Sequence, residues 1–391
     1  MKISMLKPAD PSAGSWVIQD SAEALAELGH RIDVIDLEEI STEGVICKIT
    51  DFKPDFILSV DHVGLTPLLL KTIKVPCISW FIDNPSHLYL DLVEDLEKKF
   101  LQYSLVLSLD RIYIEPLRRF GFENVEYLPM ATNPRIFKFI DLKDEDFKKY
   151  RCNLSFVGTS GHKTFEQYGT YLEEKAKDPK VKVIIEEAFR LQAENPLLDI
   201  STILEVVQAA KGVYLSFNDP EDLRLVELIV EYGAMAVYRG NVLRSVADLG
   251  LDIYGDEGMK ELLGEDGNYC GGIDYKVRED SLPKVYNATK ININITRAQS
   301  KTSLPMRVFD ILACRAFLLT DYRRDLGELF SLGEEVVCYR DLDELRRLAE
   351  YYLEHEEERM EIAKRGEERI LKEHTYKTRM ETLIEIVEEK F

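Results

Sequence analysis

KININITRAQSKTSLPMRVFDILACRAFLLTD, residues 290–321, decides the architecture. Ile291, Ile293 and Ile295 alternate with polar residues and stop at a polar run; a helical pattern follows, and FLLTD closes the stretch as a second short apolar strand. Strand, helix and strand in succession make a βαβ unit, and such units build parallel sheets. Pro305 suits the first helical position, where its missing N–H costs nothing. At 100° per residue, Met306, Arg307, Asp310 and Cys314 share an arc of about 100°, leaving the rest of the helix apolar. A cation and a carboxylate so near a helix amino terminus admit two readings. One is a solvent-facing i, i+3 pair worth a few tenths of a kcal/mol. The other is a polar helix end that meets an anionic ligand.

The same alternation recurs along the chain. KISMLKPAD, RIDVIDL, DFILSVDH, PCISWFIDN, LVLSLDR and VEYLPMATN are strands of a first set, separated mostly by amphipathic stretches such as SWVIQDSAEALAELGH and LYLDLVEDLEKKFLQY. Right-handed crossovers bring their carboxyl ends to one edge, which collects Asp10, Asp61, His62, Asp83, Asn84, Asp110 and Asn133. A charged connector over 134–152 precedes a second set: NLSFVGTSG, LDIYGDEG, NYCGGIDY, KININITRA, RAFLLTD and EEVVCYRD. The expectation is an α/β protein of two Rossmann-like, doubly wound domains. Residues 1–150 form the first, and 151–374 the second, with a helical insertion over 164–249. A terminal helix over 375–391 has Thr375 as its N-cap. NDPEDL, residues 218–223, reads as another capped helix start.

At 391 residues the chain exceeds one ordinary core, and 45% hydrophobic with 10% aromatic residues is a globular composition. A net charge of −21 argues against a nucleic-acid surface and against adhesion to anionic lipid. The six cysteines form no C-x-x-C pair, which suits a reducing cytoplasm. No signal peptide is expected at MKISMLKPAD, and no apolar run approaches the ~20 residues of a membrane span. The expected location is therefore cytoplasmic. No metal site is expected: the histidines are scattered, and Asp341-Leu342-Asp343 reads as a helix cap.

Open α/β sheets bind ligands outside the carboxyl ends of their strands. In the second domain, Gly158-Thr159-Ser160-Gly161 follows a strand, and its backbone N–H groups could approach a phosphate, with Lys163 at hand. Tyr254, Ile273 and Tyr275 follow the next two strands, where aromatic rings could stack on a base or pack in the core. In the first domain, Asp83 and Asn84 before Pro85 are either turn formers or, through Asp83, a substrate-binding group or general base. Asp61-His62 is the rival acid–base pair. Gly14, Ser15 and Trp16 begin the first helix, where a glycine lets a phosphate or another part of a ligand come close.

Residues 290–379 strongly resemble the carboxyl half of the CgeB-like glycosyltransferases, relatives of the group 1 glycosyltransferases. KPDFILSVDH, VPCISWFIDNPSH, SLDRIYIEPLRRFGFENVEYLPMATNPRIF and CNLSFVGTSG are similar to that family's amino half. The resemblance implies a GT-B architecture of two facing domains, with the nucleotide-sugar in the second and the acceptor mainly in the first. It also implies no cofactor or metal, and a final helix that crosses back onto the first domain. Carried over, Asp310 accepts hydroxyls of the donor ribose or sugar. Arg307 and the N–H groups of the Thr302–Pro305 turn, Ser303 included, face the diphosphate. The expected partners are a nucleotide-sugar donor and a glycan, lipid-linked or protein acceptor, with no nucleic acid and no membrane segment; a homodimer is compatible with this. Two departures stand out: Thr302 lies where group 1 enzymes commonly carry a glutamate, and Arg315 lies where the family usually has glycine. The alternatives are a sugar-nucleotide epimerase and a non-catalytic nucleotide-sugar-binding protein.

Overall fold

All twelve expected strands form, and they assemble into two six-stranded parallel sheets. The computed structural model describes residues 1–9, 12–85, 103–161, 169–170, 179–215, 220–264, 266–272 and 278–391. By contact the chain divides into two units: Met1–Arg135 with Thr302–Asp310 and Arg369–Phe391, and Ile136–Lys301 with Ile311–Glu368.

The first sheet contains β1 (Lys2–Lys7), β2 (Arg31–Asp36), β3 (Phe56–Val60), β4 (Cys77–Phe81), β5 (Ser104–Ser108) and β6 (Asn124–Tyr127) in the order β2-β1-β3-β4-β5-β6. FILSV, CISWF and SLVLS are buried at every residue, as expected for inner parallel strands covered on both faces. The edge strand β2 keeps exposed positions. Strand order reverses between β1 and β3, so a crevice opens outside their carboxyl ends.

The Ala13–Glu27 helix starts in that crevice, capped by a reciprocal Ser12–Ser15 pair. A Cβ on Gly14 would lie 3.3 Å from Pro8 Cγ and 3.4 Å from Val60 Cγ1, so glycine lets the helix start close against β3. This helix packs against the terminal Tyr376–Lys390 helix, which Thr375 caps in a second reciprocal pair with Thr378.

The second sheet contains β7 (Cys152–Val157), β8 (Leu251–Tyr254), β9 (Asn268–Gly271), β10 (Thr289–Asn294), β11 (Leu318–Asp321) and β12 (Val337–Tyr339) in the order β12-β11-β10-β7-β8-β9. Its reversal lies between β7 and β10. Helices Pro179–Glu194, Ile200–Lys211 and Pro220–Val246 form the helical insertion around a core of their own, which includes Ile184, Ile203, Leu204, Val226 and Val230. The expected cap of NDPEDL falls partly outside the described residues. Asp341 caps the Leu342–Glu354 helix through Glu344 N–H at 2.7 Å.

The Met306–Ala313 helix ends with Arg315 at φ 52°, the left-handed conformation anticipated where glycine would be easier. Arg315 pairs with Glu367, and its guanidinium lies 5.1 Å from the centre of the Phe139 ring. These contacts offset a backbone cost on the order of 1 kcal/mol.

Candidate functional site

In the first unit the carboxyl ends of β3, β4 and β5 carry Asp61, His62, Asp83, Asn84 and Asp110 on neighbouring loops. Asp61 and His62 are consecutive left-handed residues at φ 49° and 62°. For side chains other than glycine such a pair costs on the order of 1–3 kcal/mol each, and strain of this kind concentrates at functional sites.

Local bonds hold the strained pair. Asp61 Oδ1 accepts from the N–H groups of Ile82 and Asp83 at 2.8 and 3.1 Å, tying the β3 loop to the β4 loop. His62 Nδ1 lies 2.8 Å from Ser79 Oγ, and Ser59 Oγ donates to Val63 O at 2.7 Å. The Asp61 carboxyl is enclosed although the residue is half-buried overall. Burial first, and the Asp83 charge second, push it up to about 7. Asp83 itself is exposed, Asn84 and Trp16 are half-buried, and Gly14 and Ser15 are buried.

Asp310 is buried, at 5% exposure, and its Oδ1 accepts from Thr132 Oγ1 at 2.7 Å. A solvent-facing pair with Arg307 is therefore not its role, because burial removes the carboxylate from solvent. Thr132 also exchanges backbone bonds with the returning chain: its N–H donates to His374 O at 3.1 Å, and its carbonyl accepts from Tyr376 N–H at 3.0 Å. Arg307 is half-buried.

The turn before this helix differs from expectation. The N–H groups of Thr302 and Ser303, assigned above to a diphosphate, hold the Asp110 carboxylate at 3.0 and 3.3 Å. The hydroxyls of both residues donate to it as well. The physical reason is proximity: a buried carboxylate at the end of β5 satisfies these donors within the chain.

In the second unit, the Gly158–Gly161 loop follows β7 at the strand-order reversal. Its N–H groups are also partly committed. Gly158 N–H donates to Tyr254 O at 2.9 Å, and Asp256 takes Ser160 N–H and Oγ at 2.9 and 2.6 Å. Arg239, buried on the insertion helix, donates to Thr159 O. A Cβ on Gly255 would lie 2.2 Å from Gly158 O, so the two loops touch only because glycine stands there. Tyr254 is buried, its ring 6.4 Å from that of Tyr150, which is the packing alternative for this residue. Lys163, Ile273 and Tyr275 lie outside the described residues.

At the ends of β10 and β11, Asp321 Oδ1 accepts from Thr296 N–H and Oγ1 at 3.0 and 2.8 Å. Arg323 Nη1 lies 2.9 Å from Asp321 Oδ2, and Arg323 Nε donates to Ser300 O at 3.0 Å. This buried pair pins the loop that leads toward Thr302. Sequence reasoning gave no role to Asp110, Thr132, Arg239, Asp256 or Arg323. For Asp110, Thr132, Asp256 and Arg323 the signal, a polar residue past an apolar strand, is shared by ordinary loops, and Arg239 lies within a helix. Among the described residues no group of three or more His, Cys, Asp or Glu is placed to hold a metal, and no helix is long and apolar enough to cross a membrane.

Residues 239–385 match the model of a family described as glycosyl transferase-like. An uncharacterized protein of Aquifex aeolicus (strain VF5) is 22% identical over 408 residues, covering 99% of this chain and 96% of that protein. Among solved structures, a sucrose-phosphate synthase from Thermosynechococcus elongatus superposes with a TM-score of 0.58 at 11% identity, over 99% of this chain and 98% of that one. Anabaena Alr3699/HepE in complex with UDP-glucose gives 0.56 at 12% identity, with both chains covered in full. A glycosyltransferase from Rickettsia africae gives 0.58 at 11%, over 100% of this chain and 98% of that one. At these identities the structural likeness is one of fold. The chain thus has the two-domain α/β fold of GT-B glycosyltransferases, and its sequence over residues 239–385 is glycosyltransferase-like.

Proposed function

We propose that this protein transfers a sugar from a nucleoside diphosphate sugar to a hydroxyl group of a glycan, lipid-linked or protein acceptor. One observation carries the reading. Asp310 is a buried carboxylate at the middle of the helix after β10, inside the stretch that matches the glycosyltransferase-like model. A carboxylate accepts hydroxyl protons well, and ribose and sugar present them in pairs.

In this reading Asp310 binds donor hydroxyls and Arg307 meets the diphosphate. In the second unit, taken by itself, the Gly158–Gly161 loop can approach a phosphate through N–H groups other than those of Gly158 and Ser160. Asp61, His62 and Asp83 form the acid–base group on the first unit. Asp61 is the best matched of them to neutral pH, since a general base works best with a pKa near the working value. UDP is the first nucleotide to test, because a protein of the same fold holds UDP-glucose. Metal independence belongs to the proposal: cationic side chains and N–H groups would neutralise the phosphates directly, with charge-assisted bonds of ~1.5–3 kcal/mol each.

The test is a thermal melt with UDP, GDP, ADP and dTDP, each with Mg²⁺ and with EDTA. At a ligand concentration a hundred times Kd, stabilisation should be ~2.7 kcal/mol with either addition. A shift seen only with metal overturns metal independence, and no shift with any nucleotide overturns the donor site. Thr302, lying where the related enzymes carry a glutamate, favours a non-catalytic binding protein as the second reading. Nucleotide binding without transfer to any acceptor would select it.

A further inference from the structure

Asp110 follows β5 and has no part in the function proposed above. The residue is 3% exposed, and its carboxylate gathers four hydrogen bonds from two consecutive residues. Thr302 donates through N–H at 3.0 Å and Oγ1 at 2.8 Å, and Ser303 through N–H at 3.3 Å and Oγ at 3.1 Å. Two amides and two hydroxyls converging on one carboxylate fix the backbone and the χ1 angle of both residues.

The clamp is itself anchored. Asp110 Oδ1 accepts from Ile112 N–H at 3.2 Å, and Ser108 Oγ donates to the Asp110 carbonyl at 2.8 Å. Three residues further on, the Met306–Ala313 helix begins. Thr132, beyond the adjacent strand β6, holds Asp310 on that helix. The amino end of the helix is therefore gripped at two points from the carboxyl ends of two paired strands.

We infer that Asp110 is a positioning residue of the donor site: by clamping Thr302 and Ser303 it sets where the helix starts, and so where Arg307 and Asp310 point. The assignment rests on the donor-site reading of those two residues. It also changes that reading, since the N–H groups of Thr302 and Ser303 serve Asp110, and of this turn and helix start only Arg307 is left to meet a phosphate. Asparagine cannot replace the carboxylate, because its amide nitrogen donates and would face two donors.

The experiment compares wild type, Asp110→Asn and Thr302→Val by isothermal titration with UDP and by hydrogen exchange of the peptide spanning residues 300–306. Thr302→Val removes one hydroxyl and leaves both amides, so it serves if Asp110→Asn fails to fold. The expected result is a five- to twentyfold weaker UDP affinity in Asp110→Asn and a smaller loss in Thr302→Val. Both should come with faster exchange at Thr302 and Ser303. A purely structural role would lower the melting temperature and leave UDP affinity in the folded protein unchanged. Wild-type UDP binding that is unchanged or tighter in both variants overturns the assignment alone. Failure of the wild type to bind any of the four nucleotides overturns the donor site, and the assignment with it.

Discussion

Thr132 Oγ1 donates to Asp310 Oδ1 at 2.7 Å, joining residues 178 positions apart in the chain. Both are buried, at 0% and 5% exposure, so the bond is charge-assisted and shielded from water. Asp310→Asn keeps the shape and halves the accepting capacity. Donor affinity should fall roughly tenfold or more, matching the ~1.5–3 kcal/mol of a charged hydrogen bond. Titration with UDP reads the affinity; an unchanged value removes Asp310 from the donor site. Thr132→Val should cost about 1–3 kcal/mol of stability, measured by urea unfolding.

Asp61 gives the first unit a pH signature. Its pKa, raised from 3.8 to about 7, means the folded protein holds a proton that the unfolded chain releases near pH 4. Stability from this group is complete below about pH 4 and falls as pH rises through 7. Asp61→Asn keeps an oxygen for the N–H groups of Ile82 and Asp83 and carries no charge. It should flatten the decline between pH 4 and 7 and melt higher than wild type at pH 8. A variant whose melting temperature follows the wild-type curve at every pH would show that Asp61 is ionised throughout.

The buried Arg323–Asp321 pair should be costly to break. Arg323→Ala leaves Asp321, at 2% exposure, without its cation, and removal of one partner of a buried pair costs about 3–5 kcal/mol. Chemical denaturation should show the loss in the second unit. A cost below about 1 kcal/mol would mean the site hydrates freely.

Arg315 supplies the fourth prediction. Glycine there relieves the left-handed strain but strands Glu367, whose side chain is 9% exposed. Arg315→Gly alone should be neutral to destabilising. In a Glu367→Gln background the same change should gain about 0.5–1 kcal/mol, as the strain is released with no charge left behind. A double-mutant cycle without that sign reversal would show that the ion pair contributes nothing.

Much of this could be read from the residues themselves. Central strands such as FILSV and CISWF announce themselves because full burial demands continuous apolar character, and caps such as Thr375 and Asp341 because their chemistry is local. Arg315 was legible for the same reason, as a side chain where a backbone needs glycine. Asp110 and Thr132 were not, because their partners lie 192 and 178 positions away, and no local pattern encodes which loop end meets which. The burial of Asp310 was hidden likewise, since an arc on a helical wheel does not say what covers it.

The division of the chain into units has a consequence for dissecting it. The first unit takes residues from three separate segments, the last being Arg369–Phe391. A fragment ending at 150 would contain the whole first sheet and still lack the terminal helix that packs against Ala13–Glu27 and buries Met380, Leu383 and Val387. It would expose an apolar stripe that the intact protein buries, and self-association or insolubility would follow. A nick within 136–150 is a different matter, because both pieces keep their partners. The two fragments should co-elute under native conditions and part only in denaturant.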